Sequence, residues 1–343
     1  MTDTSPLVCI CIPTYNAELT IRETLASVLN QSYSNLIVQL VDNASSDRTL
    51  EIVEAFDDQR ICIHRNASNI GAEGNFNRCI QLATGKYTAI YHADDLYEPQ
   101  MVERQVALLE RAQQIGAVFT EATVIDQTGA RIGRLSVPVP SHTERGLYDF
   151  PTLFKSILKS SNFLICPSAM VRTEIYLNEI RCWQGDLFGS AADLDVWLRI
   201  SQAHSIAILH QPLIRYRVST TQSTHSLIRL RTERAEFFRV IDRYLDTPHV
   251  RDFLGDEDYM HFRWLERTDR VVRTANLFVL ERFDEATKLI GQFDFPDALR
   301  AAVSNRRGLV TFFAGLYLYV VSVLGMRRFG RFTIRNMRRY IQK

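Results

Sequence analysis

The 343-residue sequence predicts an α/β fold built on a mostly parallel sheet with helices on both faces. Three observations carry that prediction. Short apolar, β-branched runs alternate with amphipathic helical patterns through the first 126 residues. The runs are apolar enough for strands covered on both faces. Polar and acidic residues collect where the runs end, which is where a sheet of this kind holds its ligands.

The strand candidates are LVCICI (7–12), LIVQLVD (36–42), ICIH (61–64), YTAIYHA (87–93) and AVFTEATVI (117–125). Between the first two, Ile21, Leu25, Val28 and Leu29 recur at helical spacing. Leu50, Val53 and Phe56 follow, then Phe76, Cys79, Ile80 and Ala83, and then Val102, Val106 and Leu109. A βαβ rhythm of this kind winds with right-handed crossovers. The strand ends read PTYNAE (13–18), DNASSD (42–47), NASNIGAEGN (66–75, leading on from the third strand) and ADDLYEP (93–99). Residues 129–146 read as loop, 149–159 as helix and NFLICPSAMVR (162–172) as an apolar strand. A further helix opens near Asp193 and buries Val196, Trp197 and Ile200. Residues 226–300 read as helical and charged.

The six cysteines are scattered, without metal-ligand spacing, and read as core residues in a reducing compartment. MTDTSPLVCICIP lacks the basic flank and long apolar run of a secretory signal, which places the bulk of the chain in the cytoplasm. The net charge of +1 conceals an asymmetry: after Asp297 no acidic residue remains and the tail carries +10, leaving −9 for the rest. Within that tail, Gly308 to Met326 is nineteen residues without a charge, bracketed by Arg306, Arg307, Arg327 and Arg328. Spanning hydrocarbon takes ~20 apolar residues, so the segment sits at that threshold. It reads as a helix lying in the inner leaflet, with the basic tail on anionic headgroups; a buried core helix is the competing reading. The arginines do not line a face with interleaved aromatics, so no nucleic-acid partner is expected. Oligomeric state is not legible.

Asp94 and Asp95 carry the sharpest chemical signal. Capping the next helix would occupy one carboxylate, not two, and adjacent like charges at a strand end repel unless a cation or donor hydrogens compensate them. Mg²⁺ is commonly held by one or two carboxylates together with substrate phosphates, so the pair proposes a metal that carries a diphosphate. Asp42 suits a ribose hydroxyl or a base N–H, or equally an Asx-turn. Tyr15 offers a face for a flat base, and Ser45 or Ser46 reads as a helix cap. Gly71 and Gly74 form neither G-x-G-x-x-G nor a P-loop, against dinucleotide and ATP readings.

PTYNAE, VDNASSD, NIGAEGN, GKYTAIYHADD and, about a hundred residues later, ADLDVWLRI together resemble the inverting glycosyltransferase family 2, over roughly residues 6–220. The resemblance implies the GT-A fold, as a domain over 1–225 with a nucleotide-sugar half (1–126) and an acceptor half (127–225). A helical extension (226–305) and an apolar helix with a basic tail (306–343) would follow. It implies that Pro13, Thr14, Tyr15, Asn16, Glu18, Asp42, Gly71, Asn75 and Asp94 surround a nucleotide-sugar and that Asp95 coordinates Mg²⁺ or Mn²⁺. Asp193 becomes the general base for an acceptor hydroxyl on a glycan or lipid-linked glycan, with Asp195 as the alternative base and a helix N-cap as Asp193's competing role. The expected place of work is the cytoplasmic face of the inner membrane. Polyisoprenyl phosphate as acceptor, or a membrane-docked nucleotide-sugar binder without turnover, are the competing functions. Two departures from the family pattern bear on the metal: His92 stands where an acid is common, and Ser219 where a histidine is common, with His225 near by in sequence.

Overall fold

The first four apolar runs become strands, three of them almost fully buried and the third, at the sheet edge, half-buried. β1 (Val8–Thr14), β2 (Leu36–Asp42), β3 (Ile61–Arg65) and β4 (Tyr87–Ile90) pair in parallel in the order β3-β2-β1-β4. The computed structural model describes residues 5–138, 146–218, 230–304 and 306–341. Helices α1 (Ile21–Leu29), α2 (Thr49–Glu54) and α3 (Gly71–Gln81) connect these strands. The apolar spacing is realised in α1, which buries Ile21, Leu25 and Val28 against Ile10, Ile12 and Leu40 of the sheet core. Because β1 has β2 on one side and β4 on the other, the chain reverses its winding there. The loops after β1 and β4 therefore flank a crevice.

Beyond β4 the sheet departs from the simple rhythm. After β5 (Leu96–Tyr97) and α4 (Met101–Arg111), β6 (Ile115–Ile125) does not sit beside β4. The three-residue β9 (Met170–Arg172) lies between them, antiparallel to both. Of the apolar run 162–172, only that last stretch is strand, and Cys166–Ser168 is a 3₁₀ turn. Residues 129–146, expected as loop, contain β7 (Arg131–Leu135), antiparallel to β6. Its side chains are largely exposed and two are arginines, so no apolar pattern announced it. β8 (Leu147–Tyr148) and α5 (Phe150–Ser160) follow.

The helix expected near Asp193 is α7 (Ala192–Ala203), reached through a π-helical turn, Ile175–Ile180, and the short α6 (Gly185–Phe188). It leads into β10 (Ser205–Arg217), which runs parallel to β6 with register shifts around Pro212 and pairs with β5 through Ile214 and Arg215. That short antiparallel pair ties residue 95's neighbourhood to residue 217's.

The chain falls into two compact units, Met1–Ser156 with Asn162–Ser219 and Ile157–Ser161 with Thr220–Lys343. In the second, helices Glu236–Leu245, Pro248–Arg251, Asp256–Val279, Phe283–Ile290, Phe295–Ser304, Arg306–Val323 and Arg327–Ile341 follow one another. Leu277, Phe278, Ile290, Phe293, Leu318 and Val321 share one core, so one face of the apolar helix Arg306–Val323 is buried. Among the described residues no helix is long and apolar enough to cross a membrane. Gly325 closes that helix at φ +66°, with the Met326 N–H donating to the Val321 carbonyl at 3.0 Å. A left-handed residue followed by a bond back over five positions is a Schellman end, and it turns the chain into Arg327–Ile341.

Candidate active site

The corner at Asp94 and Asp95 is assembled from four separated segments. β4 delivers the chain to Tyr91, whose ring stacks on Tyr97 at 3.8 Å beneath the loop. The Tyr97 hydroxyl accepts the His92 N–H at 2.8 Å. From α1, the Thr20 and Thr24 hydroxyls donate to the Ala93 carbonyl, at 2.8 and 3.1 Å, and Thr24 also donates to the Asp95 carbonyl at 2.8 Å. From the end of β10, the backbone N–H of Arg217 donates to Asp95 Oδ1 at 2.8 Å. The guanidinium of Arg217, itself 3% exposed, donates to the carbonyls of Asp94 and Gln127 and to the Glu23 carboxylate. Neither aspartate caps α4, whose start has no side-chain cap, so the capping reading of the pair falls.

Asp95 is fully buried, and its Oδ2 has no hydrogen-bond partner among the described residues. Burial, and then the neighbouring Asp94, push its carboxyl well above the usual range, opposed by Arg217. His92 Nδ1 lies 3.9 Å from that Oδ2, and burial lowers the imidazole pKa, keeping a nitrogen lone pair available. Ligand atoms of His92, Asp94 and Asp95 lie within 4.8 Å of one another. A buried carboxylate oxygen without a donor, beside a second carboxylate and a neutral imidazole, fits a divalent cation. Ser219 and His225 lie outside the described residues.

The edge formed by the loops after β1, β2 and β3 contains both exposed groups and struts. Tyr15, two residues after Pro13, is half exposed and open to a flat ligand. Asp42 is buried at the end of β2; its Oδ2 accepts the Ser45 N–H at 3.1 Å, while Oδ1 has no partner among the described residues, leaving an acceptor for a ligand donor. Asn16, at φ +47°, accepts the Ser46 N–H and donates its own N–H to Ser45 Oγ. Ser45 thus braces a loop and caps no helix, since α2 begins without a side-chain cap. Other predicted residues are occupied in holding these loops. Thr14 donates to the Ile12 carbonyl, Glu18 accepts the Arg48 N–H, and the buried Asn75 donates to the Val41 carbonyl while accepting from Asn66. Gly71, at φ +78°, donates its N–H to Asn69, and its carbonyl accepts from Asn43.

Across the site, Asp193 opens α7. Its Oδ1 accepts the Leu194 N–H at 2.7 Å, and Asn162 donates to Oδ2 at 3.4 Å. Burial lifts its carboxyl to about 6, against the lowering effect of those donors. Asp195 is 1% exposed and ion-paired to Arg199 at 2.8 Å, while Arg199 also donates to the Ile180 and Cys182 carbonyls. That pairing removes Asp195 as the alternative base. His92, Phe76, Trp183 and Trp197 form a run of ring contacts, at 5.8, 4.7 and 6.1 Å between successive centroids, from the acidic corner to α7. The Tyr216 hydroxyl, pushed up to about 12 by burial, also feels Asp95, Asp94 and Asp193, and the Cys166 thiol feels Asp193 and Asp95. Acidic corner and candidate base are therefore both within electrostatic reach of the same two side chains. Thr20, Thr24, Asn162 and Cys166 carried no signal in the sequence, and Arg217 only its place in a Tyr-Arg pair.

Residues 9–178 match the model of Glycosyl transferase family 2. This domain belongs to glycosyl transferase family 2. The family 2 domain is 36% identical over 149 residues to the putative glycosyltransferase EpsE of Bacillus subtilis, covering 42% of this chain and 54% of that protein. Over 103 residues it is 37% identical to the Escherichia coli UDP-Glc:alpha-D-GlcNAc-diphosphoundecaprenol beta-1,3-glucosyltransferase WfgD, covering 30% of this chain and 41% of that one. The chain thus spans about half the length of these curated relatives. The mannosyltransferase PcManGT from Pyrobaculum calidifontis, solved with GDP-Man and Mn²⁺, superposes with a TM-score of 0.53 at 17% identity, covering 93% of this chain and 86% of that one. The family 2 domain therefore has the GT-A fold.

Proposed function

We propose that the chain is an inverting glycosyltransferase, moving a sugar from a nucleoside-diphosphate donor to a hydroxyl of a glycan or lipid-linked glycan in one displacement. One observation supports the reading: ring contacts run from the corner of His92, Asp94 and Asp95 through Phe76 and Trp183 to Trp197 of α7, the helix at whose start Asp193 lies. Asp42 Oδ1 and Tyr15 meet the nucleoside, within loops held by Pro13, Thr14, Asn16, Glu18, Gly71 and Asn75. Asp94 lies by the nucleotide, and Asp95, with Asp94 and His92 beside it, would hold Mg²⁺ or Mn²⁺. When bound, that cation is a Lewis acid for the charge developing on the leaving diphosphate.

Asp193 takes the proton of the acceptor hydroxyl. The acceptor oxygen bonds to the anomeric carbon as the bond from that carbon to the diphosphate oxygen breaks, on the opposite face. A carboxyl near 6 remains ionised at neutral pH yet is more basic than an ordinary aspartate, which suits a general base. An acceptor that is already a phosphate anion needs no such group, so Asp193 favours a hydroxyl over polyisoprenyl phosphate. The relative WfgD, named for a diphosphoundecaprenol acceptor, supports a lipid-linked glycan and a place of work at the cytoplasmic face of the membrane.

The test is a panel of nucleotide-sugars in thermal shift with and without Mn²⁺, since a ligand of the folded state raises apparent stability. Release of nucleoside diphosphate in the presence of glycan acceptors, and the anomeric configuration of the product, complete it. A chain that no nucleotide-sugar stabilises, or a product of retained configuration, refutes the proposal.

A further inference from the structure

The helix Arg306–Val323 has two faces of the same chemistry and opposite exposure. Thr311, Gly315, Leu318 and Val321 face inward, and Gly315 is fixed there because a Cβ would sit 2.6 Å from the Phe293 ring. The opposite face carries Leu309, Val310, Phe313, Leu316 and Val320, exposed by 37% at Leu316 up to 69% at Val310, and Leu324 continues it beyond the helix end. No charged residue interrupts that stripe. At ~1.5 Å per residue the helix is about 27 Å long, so the stripe is a large apolar patch rather than scattered surface leucines. On Arg327–Ile341, Phe329 and Phe332 are exposed one turn apart.

The two helices themselves carry charge of one sign only. Arg307, Arg328 and Arg335 are exposed and make no ion pair among the described residues, whereas Arg327 and Arg331 pair with Asp284 and Glu281. The sequence has no acidic residue after Asp297 to oppose them.

We infer that this face docks the chain on an anionic lipid surface, with the Leu309–Leu324 stripe in the headgroup and acyl boundary and Arg307, Arg328 and Arg335 on the headgroups. An apolar stripe with basic flanks is the pattern of helices that lie in the interface plane, ~5–10 Å deep. Spanning is disfavoured because it would strip Leu318 and Val321 from the unit's own core. A second protein copy would have to bring acidic residues to this basic rim. The inference rests on the surface alone and stands apart from the transferase reading.

The full chain is sedimented with vesicles of phosphatidylcholine alone and of phosphatidylcholine mixed with phosphatidylglycerol, at low and high salt. The expected result is binding to the mixed vesicles that weakens with salt. Phe313→Glu with Val320→Glu lowers the partition by at least about tenfold, and Arg328→Ala with Arg335→Ala by roughly tenfold or more, on anionic vesicles only. Thermal melting and nucleotide-dependent thermal shift stay unchanged in both variants, which separates loss of docking from loss of fold or of donor binding. If the glutamate pair fails to fold, Leu309→Gln with Val310→Gln probes the same face at its most exposed point. Equal binding to both vesicle types, unaltered binding by these variants, or a solution oligomer that they dissociate would overturn the inference, the last by assigning the face to a second copy.

Discussion

Replacing Asp193 by asparagine should make the protein slower and more stable at once. In the folded chain burial lifts this carboxyl to about 6, whereas an unperturbed aspartate titrates near ~3.9. Below about pH 4 the group is protonated in both folded and unfolded chains, and it does not penalise folding. As pH rises through 6 it ionises in the folded chain as well, and stability is lost to a poorly solvated charge. The displacement of about two units corresponds to ~3 kcal/mol, which partial solvent access reduces to about 1–3 kcal/mol. Asparagine keeps an oxygen for the Leu194 N–H and carries no charge, so Asp193→Asn should be the more stable protein at pH 8 by about 1–3 kcal/mol. The advantage should shrink toward nothing at pH 4. Urea denaturation of both proteins across that range measures it, with transfer and donor binding followed in parallel. Transfer should fall by ~10²–10⁴-fold with donor binding intact, and wild-type transfer should decline as pH drops below about 6. Full transfer by Asp193→Asn, or a stability difference independent of pH, would refute both the buried charge and its role.

Asp95→Asn should abolish the Mn²⁺-dependent part of any thermal shift by a nucleoside diphosphate without lowering the melting temperature of the unliganded protein, because the replaced oxygen has no partner in the fold. Calorimetry of metal binding in the presence of a nucleoside diphosphate should find Mn²⁺ preferred over Mg²⁺ in the wild type, since imidazole suits transition metals and carboxylates suit Mg²⁺; His92→Asp should narrow that preference. Arg217→Ala should cost ~3 kcal/mol by leaving buried carbonyls without donors. It should also weaken metal-dependent donor binding by loosening the loop at Asp94, and Arg217→Lys should restore part of both, read by denaturation and by nucleotide titration.

The half of the fold made of neighbouring elements was legible. β1 through β4 announce themselves by continuous apolar runs, and α1 by a repeat that maps onto its buried face. What the sequence concealed depends on distant partners. β5 is two residues long and exists because β10 lies beside it. β10 itself is interrupted at Pro212, and β9 is three residues inserted between strands far from it in the chain. The site divides the same way. Asp42, Asp94, Asp95 and Asp193 stood out as acids at strand and helix ends, but Arg217 reaches Asp95 across 122 positions. No local pattern encodes that contact. Glu18 and Asn75 carry motif signals yet have atoms committed to backbone groups, because a motif marks a loop's shape as well as its contacts. The uncharged stretch after Arg307 could not declare two fates, since its buried and exposed faces use the same residue types.

The stitching of the acidic corner also sets an order of events during synthesis. The nucleoside-side loops after β1 and β2 are complete within the first 75 residues, and domains generally form from the N terminus as they emerge. The cation side is not: the oxygen of Asp95 that faces inward is fixed only when the amide of residue 217 arrives. A nascent chain arrested before β10 would carry the base-facing surfaces without a closed place for a divalent ion. On the proposed reading, competence to hold a diphosphate therefore comes with the last strand of the sheet.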